Sequence, residues 1–355
     1  LISFPDYIFD PQKTPQTLRP RLSTRFQASV IKNMQQEFSP KEKIMNRRNL
    51  LTSAISATAG AALLATDSDA IWANGTKSAD AKSNLLSRPF LETRDHATLF
   101  CKDWGAGKPV VFVHSWALNS DMWQYQMIHL SGQGLRCIAY DQRGHGRSSQ
   151  PGYGYDYDTL ADDLASLIEQ LDLREVTLVA HSMGCGEVVR YLSRHGSSRV
   201  ARAVLISTAT PFALKTPDNP DGTDKAIFEK LRASWTKDFP KWLGENARPF
   251  FVPETSPEMM QWVVRMCLQA SLKALIDCNR AGMETDFRTE LAAITVPTLI
   301  IHGDADVSEP IEQRGRRTAQ LIPGSQFKVY EGAPHGLMFT HTDRLNADLL
   351  AFITR

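Results

Sequence analysis

The 355-residue sequence predicts an α/β fold: a mostly parallel central sheet flanked by helices, with a helical cap inserted late in the chain. Short apolar, β-branched runs recur along the chain, and stretches with apolar residues at helical spacing lie between them. The rhythm breaks over about 212–290, where aromatic and Met-rich helical segments replace the strands.

In chain order, the first run is Lys108 to His114, whose core Val110-Val111-Phe112-Val113 has no polar alternation and so reads as a strand buried on both faces. Similar runs follow at Leu135 to Tyr140, Val176 to Ala180, Ala203 to Ile206 and Pro297 to Ile301, with a weaker one at Phe327 to Tyr330. Strands separated by helical stretches must cross over, which favours parallel pairing. Leu160, Leu164, Leu167, Ile168 and Leu171 form one helical stripe, with Asp162, Asp163 and Glu169 on other faces. Leu345, Leu349, Leu350 and Phe352 form another, with Thr342 and Asp343 placed to cap it or complement its dipole. Between them, Phe228, Leu231, Trp235, Phe239 and Trp242 mark a cap, and Asp218 to Asp224 reads as its polar hinge loop.

Ahead of these elements, residues 1–44 show no sustained periodicity and are expected to be a non-native or disordered extension. From Met45, the paired Arg47 and Arg48 precede an uncharged Ala/Ser/Thr-rich run to Thr66, with small residues at Ser68 and Ala70. Residues 45–70 therefore resemble a twin-arginine signal, which implies export machinery as a partner and a periplasmic or secreted enzyme; an anchoring helix is the alternative, and a cytoplasmic location follows if the signal is unused. The domain proper is expected over 71–355.

With 40 Lys and Arg against 39 Asp and Glu, the net charge is +1, so no global field attracts nucleic acid. A small neutral substrate fits better. The five cysteines, Cys101, Cys137, Cys185, Cys267 and Cys278, make neither a C-x-x-C pair nor a metal spacing and read as buried thiols. The sequence leaves a homo-oligomer open.

The chemistry centres on Val176 to Gly186, where an apolar strand runs into a helix through His181-Ser182-Met183-Gly184-Cys185-Gly186. A sharp strand-to-helix turn pushes the Ser182 hydroxyl out of the sheet and demands small neighbours. A hydroxyl is a weak nucleophile until a base takes its proton. His335, in Glu331-Gly332-Ala333-Pro334-His335-Gly336 after the last predicted strand, is on a loop able to reach Ser182. His181 is turned away from Ser182 by strand alternation, and His341 sits at the threshold of the final helix.

The Ser182 segment resembles the nucleophile elbow of α/β-hydrolases, with Ala180 in place of the first glycine of G-x-S-x-G. The resemblance implies an acid after the penultimate strand, where Gly303, Asp306 and Pro310 match the family pattern and Asp304 is the alternative. It also implies an oxyanion hole from the Met183 N–H and one from the loop His114-Ser115-Trp116-Ala117, with Trp116 as the second donor. Trp116, Phe212 and Trp235 are candidate substrate-binding residues. Asp141 to Ser148 matches a family loop whose role reads as structural.

His114-Ser115-Trp116 with Met122-Trp123, Ser182 to Glu187, and Glu331 to Leu337 look like cofactor-free bacterial chloroperoxidases and aryl esterases. That resemblance implies hydrolysis of a small, apolar or aryl ester through an acyl-serine, with peracid and halide chemistry as a side activity and no haem or metal. Family members with strong perhydrolase character carry Pro where this chain has Ala117, so esterase is the expected activity. A C–C bond hydrolase or lyase, or a slow-turnover ligand-binding protein, are the alternatives on the same scaffold.

Overall fold

The computed structural model describes residues 89–355; the extension and signal expected over 1–70 lie outside the described residues. Eight strands form one sheet in the order β1-β2-β4-β3-β5-β6-β7-β8. They are β1 Phe90–Glu92, β2 Thr98–Trp104, β3 Lys108–Val113, β4 Leu135–Tyr140, β5 Val176–His181, β6 Val200–Ile206, β7 Thr298–Gly303 and β8 Gln326–Tyr330. β3 to β8 pair in parallel, while β1 with β2 and β2 with β4 are antiparallel. The antiparallel edge went unread in the sequence because β2, Thr98 to Trp104, alternates buried and part-exposed residues and carries Lys102 and Asp103. It has none of the continuous apolar character of the buried parallel strands.

Helices close both faces. α1 Gln124–Ser131, α2 Tyr157–Gln170 and α3 Met183–His195 alternate with the strands, and α4 Lys225–Asn246, α5 Pro257–Cys267, α6 Leu272–Glu284 and α7 Arg288–Ala292 fill the gap between β6 and β7. α8 Gly315–Leu321, α9 Leu337–Thr340 and α10 Thr342–Ile353 complete the chain. The period-2 pleat of β3 sorts its side chains: Val111 and Val113 join Leu160, Leu164 and Val188 on the face of α2 and α3. Val110 and Phe112 join Met127, Leu130, Leu345 and Leu349 on the opposite face, under α1 and α10. Each such side chain, buried completely, stabilises the fold by about 1.5–3 kcal/mol. Asp156 caps α2, accepting from the Thr159 N–H at 2.9 Å. Thr342 does not cap α10 as expected, because its hydroxyl turns back to the Met338 carbonyl at 2.9 Å.

The segment α4 to α6 is where the cap was expected. α4 breaks at Asp238 (φ −165, ψ 81), because Pro240 has no N–H to give and its ring crowds the preceding turn. Trp235, before the break, and Trp242, after it, both pack on Trp116, at 4.6 and 6.3 Å between ring centroids. Parallel pairing puts the loops after β3, β5, β7 and β8 at one edge of the sheet, where open α/β sheets bind their ligands.

Candidate active site

At that edge, β5 ends on His181 and α3 begins on Met183, so Ser182 alone makes the turn, with φ 52 and ψ −116. This is left-handed backbone, rare and strained for a residue with a side chain. The crossing is tight. A Cβ on Gly184 would lie 2.6 Å from the His114 carbonyl oxygen, and one on Gly186 would lie 2.7 Å from the Tyr157 ring. Ser182 Oγ is buried with no hydrogen-bond partner among the described residues, and the residue borders a cavity that His335 also borders.

His335 stands on the loop after β8, and its Nδ1 lies 2.7 Å from Asp306 Oδ2. The other carboxylate oxygen of Asp306 accepts the N–H groups of Ser308 at 3.0 Å and Glu309 at 2.9 Å. Burial pushes the Asp306 carboxyl up, but the adjacent His335 and His302 outweigh it and hold the group well below the usual carboxylate range. An ionised Asp306 keeps the His335 proton on Nδ1 and leaves Nε2 as the basic nitrogen. Asp304, the alternative acid, instead accepts the Gly332 N–H at 2.6 Å and shapes the loop that carries His335. His181 Nε2 lies 2.9 Å from the His335 carbonyl oxygen, with its ring tilted against that of His335 at 4.6 Å between centroids. It braces the His335 loop rather than facing Ser182.

Met183 is the first residue of α3, so its N–H has no carbonyl within the helix to meet. The Trp116 N–H is aimed by its neighbour. His114 Nε2 accepts the Gln142 N–H at 2.8 Å, which places the imidazole proton on Nδ1, 2.8 Å from the Ser115 carbonyl oxygen. A trans peptide points its N–H opposite to its C=O, so pinning the Ser115 carbonyl fixes the direction of the Trp116 N–H. Burial pushes the His114 pKa down to about 3, so this arrangement is neutral throughout the physiological range. The Trp116 ring is held as well, its Nε1 donating to the Leu275 carbonyl at 2.8 Å. The sequence points to the His114 segment but not to this role, because the N–H that sets the His114 tautomer comes from Gln142, in the loop after β4.

The cavity together with the open solvent at its mouth spans about 560 Å³, and among the described residues no Asp, Glu, Lys or Arg borders it. Trp116 forms part of its wall, as expected, together with Trp242, Phe250, Val263 and Cys267 from the cap. Phe212 and Trp235, expected to line it, do not. Trp235 stacks behind Trp116, and Phe212 lies under the Arg288 guanidinium at 5.3 Å while its carbonyl accepts from Arg314 at 2.6 Å. The sequence offered two tryptophans seven residues apart on one helix, and the break at Asp238 decides which of them reaches the cavity. Asp141 to Ser148 is tied to its surroundings by its own side chains: Asp141 accepts from the Ser120 and Arg147 N–H groups at 2.8 Å each, and Arg143 clamps Asp163 at 2.6 Å.

A parallel sheet, a lone serine on a left-handed strand-to-helix turn, and an Asp-held histidine at the same sheet edge together define an α/β-hydrolase site. The chain belongs to that family, whose model, described as alpha/beta hydrolase fold, matches residues 108–342. Among its relatives is the "Non-heme chloroperoxidase CPO-A1" of Kitasatospora aureofaciens, 41% identical over 276 residues that cover 75% of this chain and 100% of the relative. The "Bifunctional esterase/perhydrolase DCH" of Acinetobacter calcoaceticus is 38% identical, covering 74% of this chain and 99% of that protein. Among solved structures, a bromoperoxidase from Bacillus anthracis superposes with a TM-score of 0.71 at 40% identity, covering 73% of this chain and 96% of that one.

Proposed function

We propose that this protein is a serine esterase for small, neutral, apolar or aryl esters, and that Ser182, His335 and Asp306 carry the reaction. The observation that carries this reading is the strained Ser182 turn opening into an uncharged, largely apolar cavity that an Asp306-held histidine also borders. His335 Nε2 takes the Ser182 proton as Oγ attacks the ester carbonyl, and the developing oxyanion is met by the N–H groups of Met183 and Trp116. His335 then returns the proton to the leaving alcohol. Water adds to the acyl-serine by the same route in reverse and frees the acid. Asp306 keeps the imidazole in the required tautomer and stabilises its protonated form.

The bifunctional relative supports a peroxide-driven side activity, in which hydrogen peroxide replaces water and the acyl group leaves as a peracid. Ala117 weighs toward hydrolysis as the main reaction. Its φ of 66 lies in the left-handed region, which the proline found in strongly perhydrolytic family members cannot adopt, since proline fixes φ near −65°.

The test is hydrolysis of p-nitrophenyl acetate by the parent and by Ser182→Ala, then the same donor with peroxide and bromide. Activity should fall on the order of 10⁵-fold or more in Ser182→Ala. Undiminished hydrolysis would overturn the nucleophile assignment, and a folded parent without activity would favour a binding role or another substrate class.

A further inference from the structure

Ser308 stands two residues beyond Asp306 and borders the same cavity as Ser182 and His335. Its hydroxyl is buried, with the residue 2% exposed, and has no hydrogen-bond partner among the described residues. Buried hydroxyls ordinarily find partners, so one without a partner at a reaction cavity asks for an explanation. Its position is also fixed: one carboxylate oxygen of Asp306 holds the Ser308 N–H at 3.0 Å, and the other holds His335 Nδ1 at 2.7 Å. A single side chain thus sets the Ser308 backbone and the imidazole relative to one another. The cap-side residues of the cavity, among them Phe250 and Val263, have no side-chain oxygen, and Trp242 alone of them has a side-chain nitrogen, which donates but cannot accept.

We propose that Ser308 is a specificity-determining residue that holds the hydrolytic water in the second half of the reaction; this rests on the acyl-serine reading above. Water attacking acyl-Ser182 gives one proton to His335 Nε2 as its oxygen bonds to the acyl carbon. Its other O–H donates to Ser308 Oγ. The bond from the acyl carbon to Ser182 Oγ then breaks, and His335 returns its proton to Ser182 Oγ, releasing the carboxylic acid and the free serine. A simple alcohol has only one O–H, which goes to His335, and presents carbon where water presents its second proton. Ser308 therefore favours water over an alcohol as acyl acceptor.

The experiment measures how the acyl-enzyme formed from p-nitrophenyl acetate divides between water and added methanol, as the ratio of methyl acetate to acetate in the parent, Ser308→Ala, Ser308→Val and Ser308→Thr. This ratio is independent of which step limits turnover. Losing one hydrogen bond to the attacking water should raise it about tenfold in the Ala and Val variants, while Thr, which keeps the hydroxyl, stays near the parent. Among the described residues nothing hydrogen-bonds the Ser308 hydroxyl, so Ser308→Ala should keep the parent melting temperature. An unchanged ratio in active Ser308→Ala overturns the role of Ser308 and leaves the esterase reading intact. Hydrolysis that survives in Ser182→Ala overturns the esterase reading itself.

Discussion

At the scale of single residues, the site depends on groups whose freedom has been removed. Asp306 spends both carboxylate oxygens, one on His335 and one on the Ser308 and Glu309 N–H groups. In Asp306→Asn the carbonyl oxygen still suits the two backbone donors, which turns the amide NH₂ toward His335 Nδ1. The imidazole must then carry its proton on Nε2, where it cannot accept from Ser182. Steady-state kinetics should show kcat lowered by about 10⁴-fold with KM little changed and the fold intact. A loss under tenfold would mean that His335 does not depend on Asp306 for its tautomer. Ser182, His335 and Asp306 were nameable from the sequence because each sits at a loop position set by chain order. The orienting work of His114 was not, since it needs the Gln142 N–H from the loop after β4.

At the scale of elements, the elbow between β5 and α3 is a tight crossing, and it explains the spacing of small residues around Ser182. A methyl group on Gly184 meets the His114 carbonyl at 2.6 Å and the Val113 side chain at 2.9 Å, so either β3 or α3 must move. Gly184→Ala should therefore lower stability by about 1–3 kcal/mol in urea unfolding. It should also lower kcat, because the displaced carbonyl belongs to the residue that orients the Trp116 peptide. Unchanged stability would show that the helix can shift at little cost. The parallel strands β3 to β7 were legible because burial on both faces leaves continuous apolar runs such as Val110 to Val113. The antiparallel pair β1 and β2 was not, and the cap was legible only as helical and aromatic. Which of the two α4 tryptophans reaches the cavity depends on the break at Asp238, a tertiary outcome in which Trp242 borders the cavity and Trp235 packs behind Trp116.

At the scale of the molecule, the sheet and α3 are joined by a buried carboxyl. Glu187, one helical turn and more beyond Ser182, hydrogen-bonds the Tyr140 hydroxyl and the Gln142 amide at the end of β4. Burial pushes its pKa from 4.5 up to about 8, with Asp163 adding to the rise, so the group is protonated in the folded protein at neutral pH. An unfolded chain releases that proton near 4.5, so between about 4.5 and about 8 the folded state binds more protons than the unfolded one. Stability from this group is therefore fullest at low pH, declines as pH rises through that window, and levels off above it. Glu187→Gln removes the titration. The variant's unfolding free energy, relative to the parent's, should rise from pH 4.5 to pH 8. A difference that stays constant with pH would contradict a protonated Glu187.

The central claim, that Ser182 is the nucleophile activated by His335, is tested most directly by a fluorophosphonate ester, which reacts with an activated serine and remains attached. The labelled chain is digested and the modified peptide located by mass spectrometry. The modification should fall on Ser182 alone, vanish in Ser182→Ala, and slow by orders of magnitude in His335→Ala. Labelling on another residue, or no labelling of a folded parent that still hydrolyses esters, would contradict it.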